Sequence, residues 1–476
     1  MTVEYLIKKK LNKFDFWDKF RETSRELNTE VYLVGGYVRD ILLAREDERD
    51  EMDFMVVGDG TEFAQKLAEK FGISSVNIFR RFGTAHFKYN GMNFEFVGAR
   101  KESYTRESRN PDVEAGTFLD DIKRRDFTIN AIAVSLSEKD FGKIIDIFDG
   151  ISDIKRKIIR TPLDPLKTFD DDPLRILRAI RFASVLNFTI EDKTFEAIKN
   201  RRERLKIITQ ERITEEFLKI MASPKPSVGL ELMQESGVME IVFPEIANLA
   251  GVEQRKDFHH KDVFKHTLQV VDNIAKVSDN LWLRIAGLLH DVAKPATKRF
   301  VEGVGWTFHG HEEIGARMIK GIFRKMKFPM NKQPYVEKLV RLHLRPLALV
   351  DDEVTDSAIR RLIVAAGEDL DDLITLCRAD ITSKNPKKVE RYLRNYDKVM
   401  QRVIEVKEKD KLRAFQSPVR GDEIMKICNL EPSRKVGEIK KAIEEAILEG
   451  KIENTYEAAY DYLMKIKDEF CGETTN

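Results

Sequence analysis

Across 476 residues, 82 lysines and arginines stand against 81 aspartates and glutamates, so a chain that is 34% charged carries a formal +1 at pH 7. That cancellation excludes a protein that gathers polyanions through a global field and leaves any nucleic-acid contact to local patches. The length predicts roughly two to four domains, while Cys377, Cys428 and Cys471 stand too far apart for a disulfide framework or zinc knuckle.

No apolar run approaches the ~18 residues of a membrane span, and "MTVEYLIKKKLNKFDF" lacks the apolar segment of a signal peptide. The expected setting is cytoplasmic, in a reducing compartment and without a membrane partner. Oligomeric state is not legible in the chain.

From Val31 to Ile147 strand signals alternate with short helical ones: "VYLV", "EMDFMVV", "AHFKY", "NFEFV", "AIAVSL" and "KIIDIFD". Asn90-Gly91, between "AHFKY" and "NFEFV", predicts a tight hairpin turn. "VYLV" running into Gly35-Gly36 and "YVRDILL" reads as strand, turn and helix. There main-chain amides at a helix start can meet a phosphate, with Arg39 one turn in, although such turns also need glycine for backbone reasons alone. In "EMDFMVV" period-two alternation sets Met52, Phe54 and Val56 on the core face and Glu51 and Asp53 together on the other. Like charges side by side repel unless a cation or base lies between them, and magnesium suits paired carboxylates. Glu95 on "NFEFV" is a candidate third acid; Asp50 lies three residues from Asp53 and faces away.

After Arg160 the strand signals stop and helical spacing continues to the end. In "DDPLRILRAIRFASVLNF" Arg175, Arg178 and Arg181 recur every third residue on a largely apolar helix, forming one slowly drifting stripe. Asp172 before Pro173 has the form of a helix cap. It also suits recognition: a carboxylate accepting from an exocyclic amine, beside a guanidinium donating to a ring nitrogen, accepts C and A and refuses U and G.

These stretches resemble the class II tRNA nucleotidyltransferase and poly(A) polymerase family. "LVGGYVRD" matches its first motif, and Glu51-Met52-Asp53 stands where the family carries Asp-x-Asp. In "KRRDFTINAIAV" the resemblance implies that Arg125 holds triphosphate and Asn130 the sugar, with Arg124 and Asp126 supporting. "DGISDIKRKIIRTP" is similar to the hinge motif through Asp149, Gly150, Asp153 and Arg160. Asp171, Asp172 and Arg175 fill the base-selecting motif, with Arg178 and Arg181 flanking the nucleotide. "ERITEEF", with Arg212 and Glu215, looks like the motif that supports this helix. The resemblance implies catalysis at Glu51 and Asp53 with Mg2+, and triphosphate binding at Gly35, Gly36 and Arg39. The partners it implies are CTP, ATP and the tRNA 3′ end.

Six of eight histidines fall between 259 and 311. His259 and His309 read as ordinary surface residues, but the adjacent pair in "LLHDVAKP" follows an apolar run, and burial of both demands pairing or a metal. His266, His290, Asp291 and Asp380 resemble the ligand set of HD-superfamily phosphohydrolases, with His311 and His343 as ligands of the two-metal subset. The ion implied is a divalent transition metal, Mn, Ni, Co or Fe. Towards the end, "PVRGDEIMKICNLEPSRKVGEIKK" is similar to the family's helical tail, with Arg420, Arg434, Lys435, Lys440 and Lys441 facing tRNA phosphates; Ser433 stands where glycine is expected.

The expected fold is α+β: a polymerase-beta-like head of mixed sheet and helices (1–162), a helical neck with the base-selecting helix (163–255), an HD domain (256–390) and a helical tail (391–476). The expected activity is template-independent addition of C and A to tRNA. The alternatives are a poly(A) polymerase or A-adding relative, and an HD phosphohydrolase whose head only binds nucleotide.

Overall fold

In the computed structural model the head is organised by an aromatic core that one face of a seven-stranded sheet shares with two helices. The model describes all residues except 1, 47–48, 80–82, 104–111, 253–261, 304, 351–354, 384, 415–416, 449–450 and 472–476. The expected boundary between 255 and 256 and the reading of His259 lie outside the described residues. No described helix is long and apolar enough to cross a membrane.

The helices α1 (Val3–Leu11) and α2 (Trp17–Leu27) precede β1 (Glu30–Val34), α3 (Gly36–Leu42), β2 (Glu51–Val57) and α4 (Gly60–Lys70). The strands β3 (Asn77–Phe79), β4 (Thr84–Tyr89), β5 (Met92–Gly98), β6 (Arg100–Ser103) and β7 (Asp112–Ala115) follow. Then come α5 (Phe118–Lys123), β8 (Ala133–Ser135), β9 (Ile144–Ile145) and α6 (Gly150–Arg156). The sheet order is β3-β4-β5-β2-β1-β8-β9, with β2 and β5 parallel and its other neighbours antiparallel, the expected mixed sheet.

Asn90 and Gly91 take φ of 49° and 82° and close the β4–β5 hairpin as their dipeptide predicts. Met52, Phe54 and Val56 are buried, and Phe54 stacks on Phe96 at 4.9 Å between centroids, with Phe20 of α2 and Phe63 of α4 against them. The opposite face divides along its length. Met55 packs there with Tyr32, Ile122 and Ala133, whereas nearer the start of β2 the same face carries Glu51 and Asp53. The strands β3, β6 and β7 were not anticipated; each is only 3 or 4 residues long, too short for periodicity to register.

Beyond Arg160 the chain is helical, as expected, apart from two small two-stranded pairings, Ile158–Ile159 with Thr189–Ile190 and Arg299–Val301 with Gly305–Thr307. The helices α7 (Pro165–Asp171) and α8 (Leu174–Leu186) follow the head, and α8 packs on Gln210–Met221 and Pro226–Glu235. The chain divides into two compact units, Met1–Leu344 with Glu368–Val389, and Arg345–Gly367 with Glu390–Asn476. The second has its own core, in which Ile424, Ile439, Ile443 and Leu463 are buried together.

The hinge residues serve the head's geometry. Buried Asp153 accepts from Thr128 Oγ1 at 2.7 Å and from Arg160 Nε at 2.9 Å, while Asp149 takes a left-handed φ of 59°. A Cβ on Gly150 would lie 2.3 Å from the carbonyl oxygen of Thr128, in the turn that leads to Asn130. Gly150→Ala is therefore expected to destabilise the protein by about 1–3 kcal/mol through overpacking, read as a lowered midpoint of thermal unfolding.

Candidate active site

Adjacent strands hold three carboxylates at one place. Asp53 of β2 pairs with Glu95 of parallel β5, and Glu51 lies two residues back on the same face of β2. One oxygen from each of Glu51, Asp53 and Glu95 lies within 4.8 Å of the others. Burial, and then the Glu51 charge, raise the Asp53 pKa against Arg125 and Arg49; burial, followed by Asp53 and Glu51, raises that of Glu95. Such a cluster is stable as charged groups only with a cation present, and its all-oxygen donor set fits a hard divalent ion.

The diglycine bend touches this cluster. Gly35 has a φ of 74°, and a Cβ there would sit 2.9 Å from Asp53 Oδ2; the Gly36 N–H donates to the Asp53 carboxylate. On Gly36 a Cβ would meet the Arg49 guanidinium at 2.5 Å. The left-handed φ and the nearby carboxylate together require glycine at 35, whereas at 36 the nearest atoms in the way are those of the flexible Arg49 side chain. Asp53 and Glu95 line a cleft of about 280 Å³ with Arg124, Arg125, Asp126, Asp172, Arg175 and Arg178, so expected catalytic and base-selecting residues share one cavity.

Arg124, Arg125 and Arg178 of this cavity, and Arg181 on the same helix as Arg178, are held by acids, two of which sequence reading missed. Asp121, fully buried on α5, accepts from Arg124 Nε at 2.8 Å and Arg125 Nη2 at 3.0 Å. Its place three and four residues before those arginines was the available signal. Arg181 donates to Glu216 at 2.6 Å and lies over the Phe182 ring at 4.2 Å. The helix is thus supported through buried Glu216, whereas Glu215, expected in that role, is exposed. Arg178 donates to Asp126 at 2.8 Å, and Asp126 also accepts from Asn130 Nδ2 at 3.0 Å. Burial acts to raise the Asp126 pKa, but Arg178 and Asn130 hold it well below the usual carboxylate range.

Two residues expected at the nucleotide are hydrogen-bonded within the protein. Arg39 is 3% exposed, donates to both oxygens of Asp40 and to Asn130 Oδ1 at 2.8 Å, and is absent from the cleft lining. Its donors go to Asp40 and Asn130, so in this structure it supports Asn130. Asn130 is itself buried between Arg39 and Asp126. Asp172 Oδ1 accepts from the Leu174 N–H at 3.1 Å, as its capping role predicts, and Arg175 donates to the Arg124 carbonyl at 2.6 Å. Among the described residues no hydrogen bond is recorded to the other Asp172 oxygen.

A second cluster forms where five helices of the histidine-rich half meet. His266 lies on Val263–Ala275, His290 and Asp291 follow Leu281–Leu289, His311 begins His311–Lys325, His343 follows Gln333–Leu342 and Asp380 follows Leu370–Ala379. Their ligating atoms fall into two groups, His266, His290 and Asp380, and Asp291, His311 and His343. The Nδ1–H groups of His290, His311 and His343 donate to the carbonyls of Gly287, Phe308 and Val340 at 2.8, 2.7 and 2.6 Å. This fixes the tautomer and turns each Nε2 inward, the orientation a metal ligand needs. His311 Nε2 is buried 3.3 Å from Asp291 Oδ1, and with His343 this donor set fits a divalent cation. Burial disfavours charge on His290, yet Asp291 and Asp380 push its pKa up to about 10; burial and the neighbouring His290 push His343 down to about 4.

A head sheet with paired acids beside a diglycine bend, an arginine-lined cleft and a helical half bearing a His/Asp cluster define a nucleotidyltransferase joined to an HD domain. Residues 31–160 match the poly(A) polymerase head domain, 187–249 the probable RNA and SrmB-binding site of polymerase A, and 263–384 the HD domain. The chain is 32% identical over 349 residues to the A-adding tRNA nucleotidyltransferase of Deinococcus radiodurans, covering 71% of this chain and 77% of that one. It is 29% identical over 452 residues to the CC-adding tRNA nucleotidyltransferase of Thermus thermophilus, covering 91% and 93%. It is also 36% identical to the A-adding tRNA nucleotidyltransferase of Aquifex aeolicus over 57% of this chain, and this match spans only 32% of that relative's own length. A solved tRNA nucleotidyltransferase, complexed with a primer tRNA and an incoming ATP analog, superposes with a TM-score of 0.58 at 26% identity, covering 80% of this chain and 99% of that one. The chain belongs to the tRNA nucleotidyltransferase and poly(A) polymerase family.

Two outcomes follow from this geometry. Asp121→Asn is expected to weaken binding of a magnesium–nucleoside triphosphate about tenfold, the scale of a lost hydrogen bond to a charged group, with the circular dichroism spectrum unchanged; calorimetric titration reads it. Co2+ added to metal-stripped protein should raise its thermal midpoint, by the equivalent of about 2.7 kcal/mol at a hundred times the dissociation constant. That increment should be lost in His290→Ala and kept in Asp53→Ala.

Proposed function

We propose that this chain adds C and A nucleotides, without a nucleic-acid template, to the 3′ end of tRNA, taking CTP and ATP with Mg2+. The observation that carries the reading is the meeting of Glu51, Asp53 and Glu95 beside the diglycine bend, with Asp53 and Glu95 lining the same cleft as Arg125, Asp172 and Arg175. When bound, magnesium supplies charge stabilisation for phosphoryl transfer. Glu51 and Asp53 would hold it, Glu95 adding a third oxygen.

Gly35 and Gly36 let the triphosphate approach the main chain, and Arg125, clamped by Asp121, offers it positive charge. Asp172 and Arg175 select the base by accepting from an exocyclic amine and donating to a ring nitrogen. Arg178 and Arg181, tied to Asp126 and Glu216, keep that helix seated against the nucleotide. The tail cations Arg434, Lys440 and Lys441 have glutamates one turn on, at 2.9, 4.0 and 3.6 Å. We assign tRNA phosphates to this surface, with those pairs opening on contact. The working division is head 1–162, neck 163–255, HD domain 256–390 and tail 391–476, in the cytoplasm.

The inward Nε2 atoms favour a second activity in the HD domain. His266, His290, Asp291, His311, His343 and Asp380 would hold a divalent transition metal, since imidazole donors suit Mn, Ni, Co or Fe better than magnesium, and phosphate-ester hydrolysis is the chemistry such an ion supports.

Purified protein with Mg2+ and tRNA lacking its last three nucleotides, offered CTP and ATP separately and together, tests the main reading. Two additions with CTP and a third once ATP is present are expected; growth with ATP alone would assign A addition only. Asp53→Ala should abolish addition while sparing phosphatase activity, and His290→Ala with Asp291→Ala should do the reverse. Undiminished addition by Asp53→Ala would refute the head assignment.

A further inference from the structure

The hairpin formed by Arg299–Val301 and Gly305–Thr307 is built unlike the rest of the helical half. It forms a separate two-stranded sheet, and such a ribbon is marginal in water without another element to cover it. It nevertheless exposes aromatic surface. Phe300 is 50% exposed, and its cross-strand partner is Trp306, whose ring lies 5.2 Å away, edge to face. Val301 is 41% exposed beside them. Folding alone gives no reason to display a phenylalanine to solvent beside a part-buried tryptophan on so small a ribbon.

Cations accompany the rings. Lys298 Nζ lies 4.3 Å from the Trp306 centroid, and Arg299 begins the first strand; Glu302, at the turn, is the one acid of the described ribbon. Rings that can stack on a base, flanked by cations that can meet a phosphate, make up a single-strand nucleic-acid platform.

The position of the ribbon narrows the occupant. Both of its ends run into the His/Asp cluster. Before the first strand, Lys294 contacts Asp291 Oδ2 at 2.7 Å and lies 5.5 Å over the Phe308 ring. After the second strand, the Phe308 carbonyl accepts from His311 Nδ1. The ribbon is therefore anchored at both feet by residues that touch the cluster. A small phosphate ester with no base would make no use of such a platform beside the metal ligands, whereas a nucleotide would use both parts.

We infer that the Phe300–Trp306 ribbon is the base-recognition element of the HD site, which takes the terminal nucleotide of a single-stranded RNA end, stacking its base on the ribbon while its 3′-phosphate enters the His/Asp cluster. This rests on the reading of that cluster as a phosphate-handling metal site. The binding is sequence-tolerant, because every base offers a π-face.

The test uses full-length protein loaded with Mn2+ and a two-nucleotide RNA ending in a 3′-phosphate, with inorganic phosphate as the second probe. Trp306→Ala and Phe300→Ala are expected to weaken dinucleotide binding roughly tenfold each, the scale of one lost base stack, while leaving phosphate binding unchanged. Trp306→Phe, which keeps a ring, should retain most of the affinity, a rescue that loss of ribbon structure would not permit. Equal dinucleotide affinity in wild type and Trp306→Ala, or no dinucleotide binding by wild type, overturns the inference. Failure of the metal-site reading is separate: wild type would not bind inorganic phosphate, whatever the ribbon variants do.

Discussion

Three negative charges held within a few ångströms by β-sheet register are the constraint on which the head depends. The parallel pairing of β2 with β5 sets Asp53 beside Glu95 whatever their charges prefer, and strand alternation adds Glu51. The sheet can impose this because its other face is filled by Phe54, Phe94 and Phe96, whose burial greatly outweighs the repulsion among half-solvated carboxylates. The cost is local and is removed when a divalent cation binds. Everything nearby answers that charge: the Gly36 amide, the Arg49 and Arg125 guanidinia, and the bare Cα of Gly35 that lets Asp53 come close.

The arginine chemistry of the cleft follows a second rule. A long cationic side chain recognises a ligand accurately only if its position is settled beforehand, and here buried acids settle it. Asp121 holds Arg124 and Arg125, Asp126 holds Arg178, and Glu216 holds Arg181. Each pair is partly buried, so its attraction is less screened than that of the exposed lysine–glutamate pairs of the tail.

What could be read from the chain followed from how local each feature is. The carboxylate pair was legible because alternation within "EMDFMVV" is a property of seven consecutive residues, and the hairpin because Asn90-Gly91 specifies its own turn. Glu216 was harder, since a charge that looks like a helix-surface residue becomes a clamp only when a distant segment packs on it, whereas Asp121 stood three and four residues before its arginines and was passed over. The hydrogen bonds of Arg39 were equally hidden: its position in the motif says nothing about Asp40 and Asn130 accepting from it. The ribbon at 299–307 left almost no periodic signal in strands of three residues. The histidine set was plain from its density, but its division into two groups, with Asp291 beside His311 and His343, depends on where five helices converge.

The imidazoles at 290, 311 and 343 are all steered by main-chain oxygens. A carbonyl exists at every residue, so the side chains at 287, 308 and 340 can be exchanged, within the limits of packing, while the acceptor stays. An orienting shell made of carboxylates would be lost at a single codon change. This one is lost only by moving the backbone, which makes the ligand geometry robust to genetic drift and fragile to helix displacement.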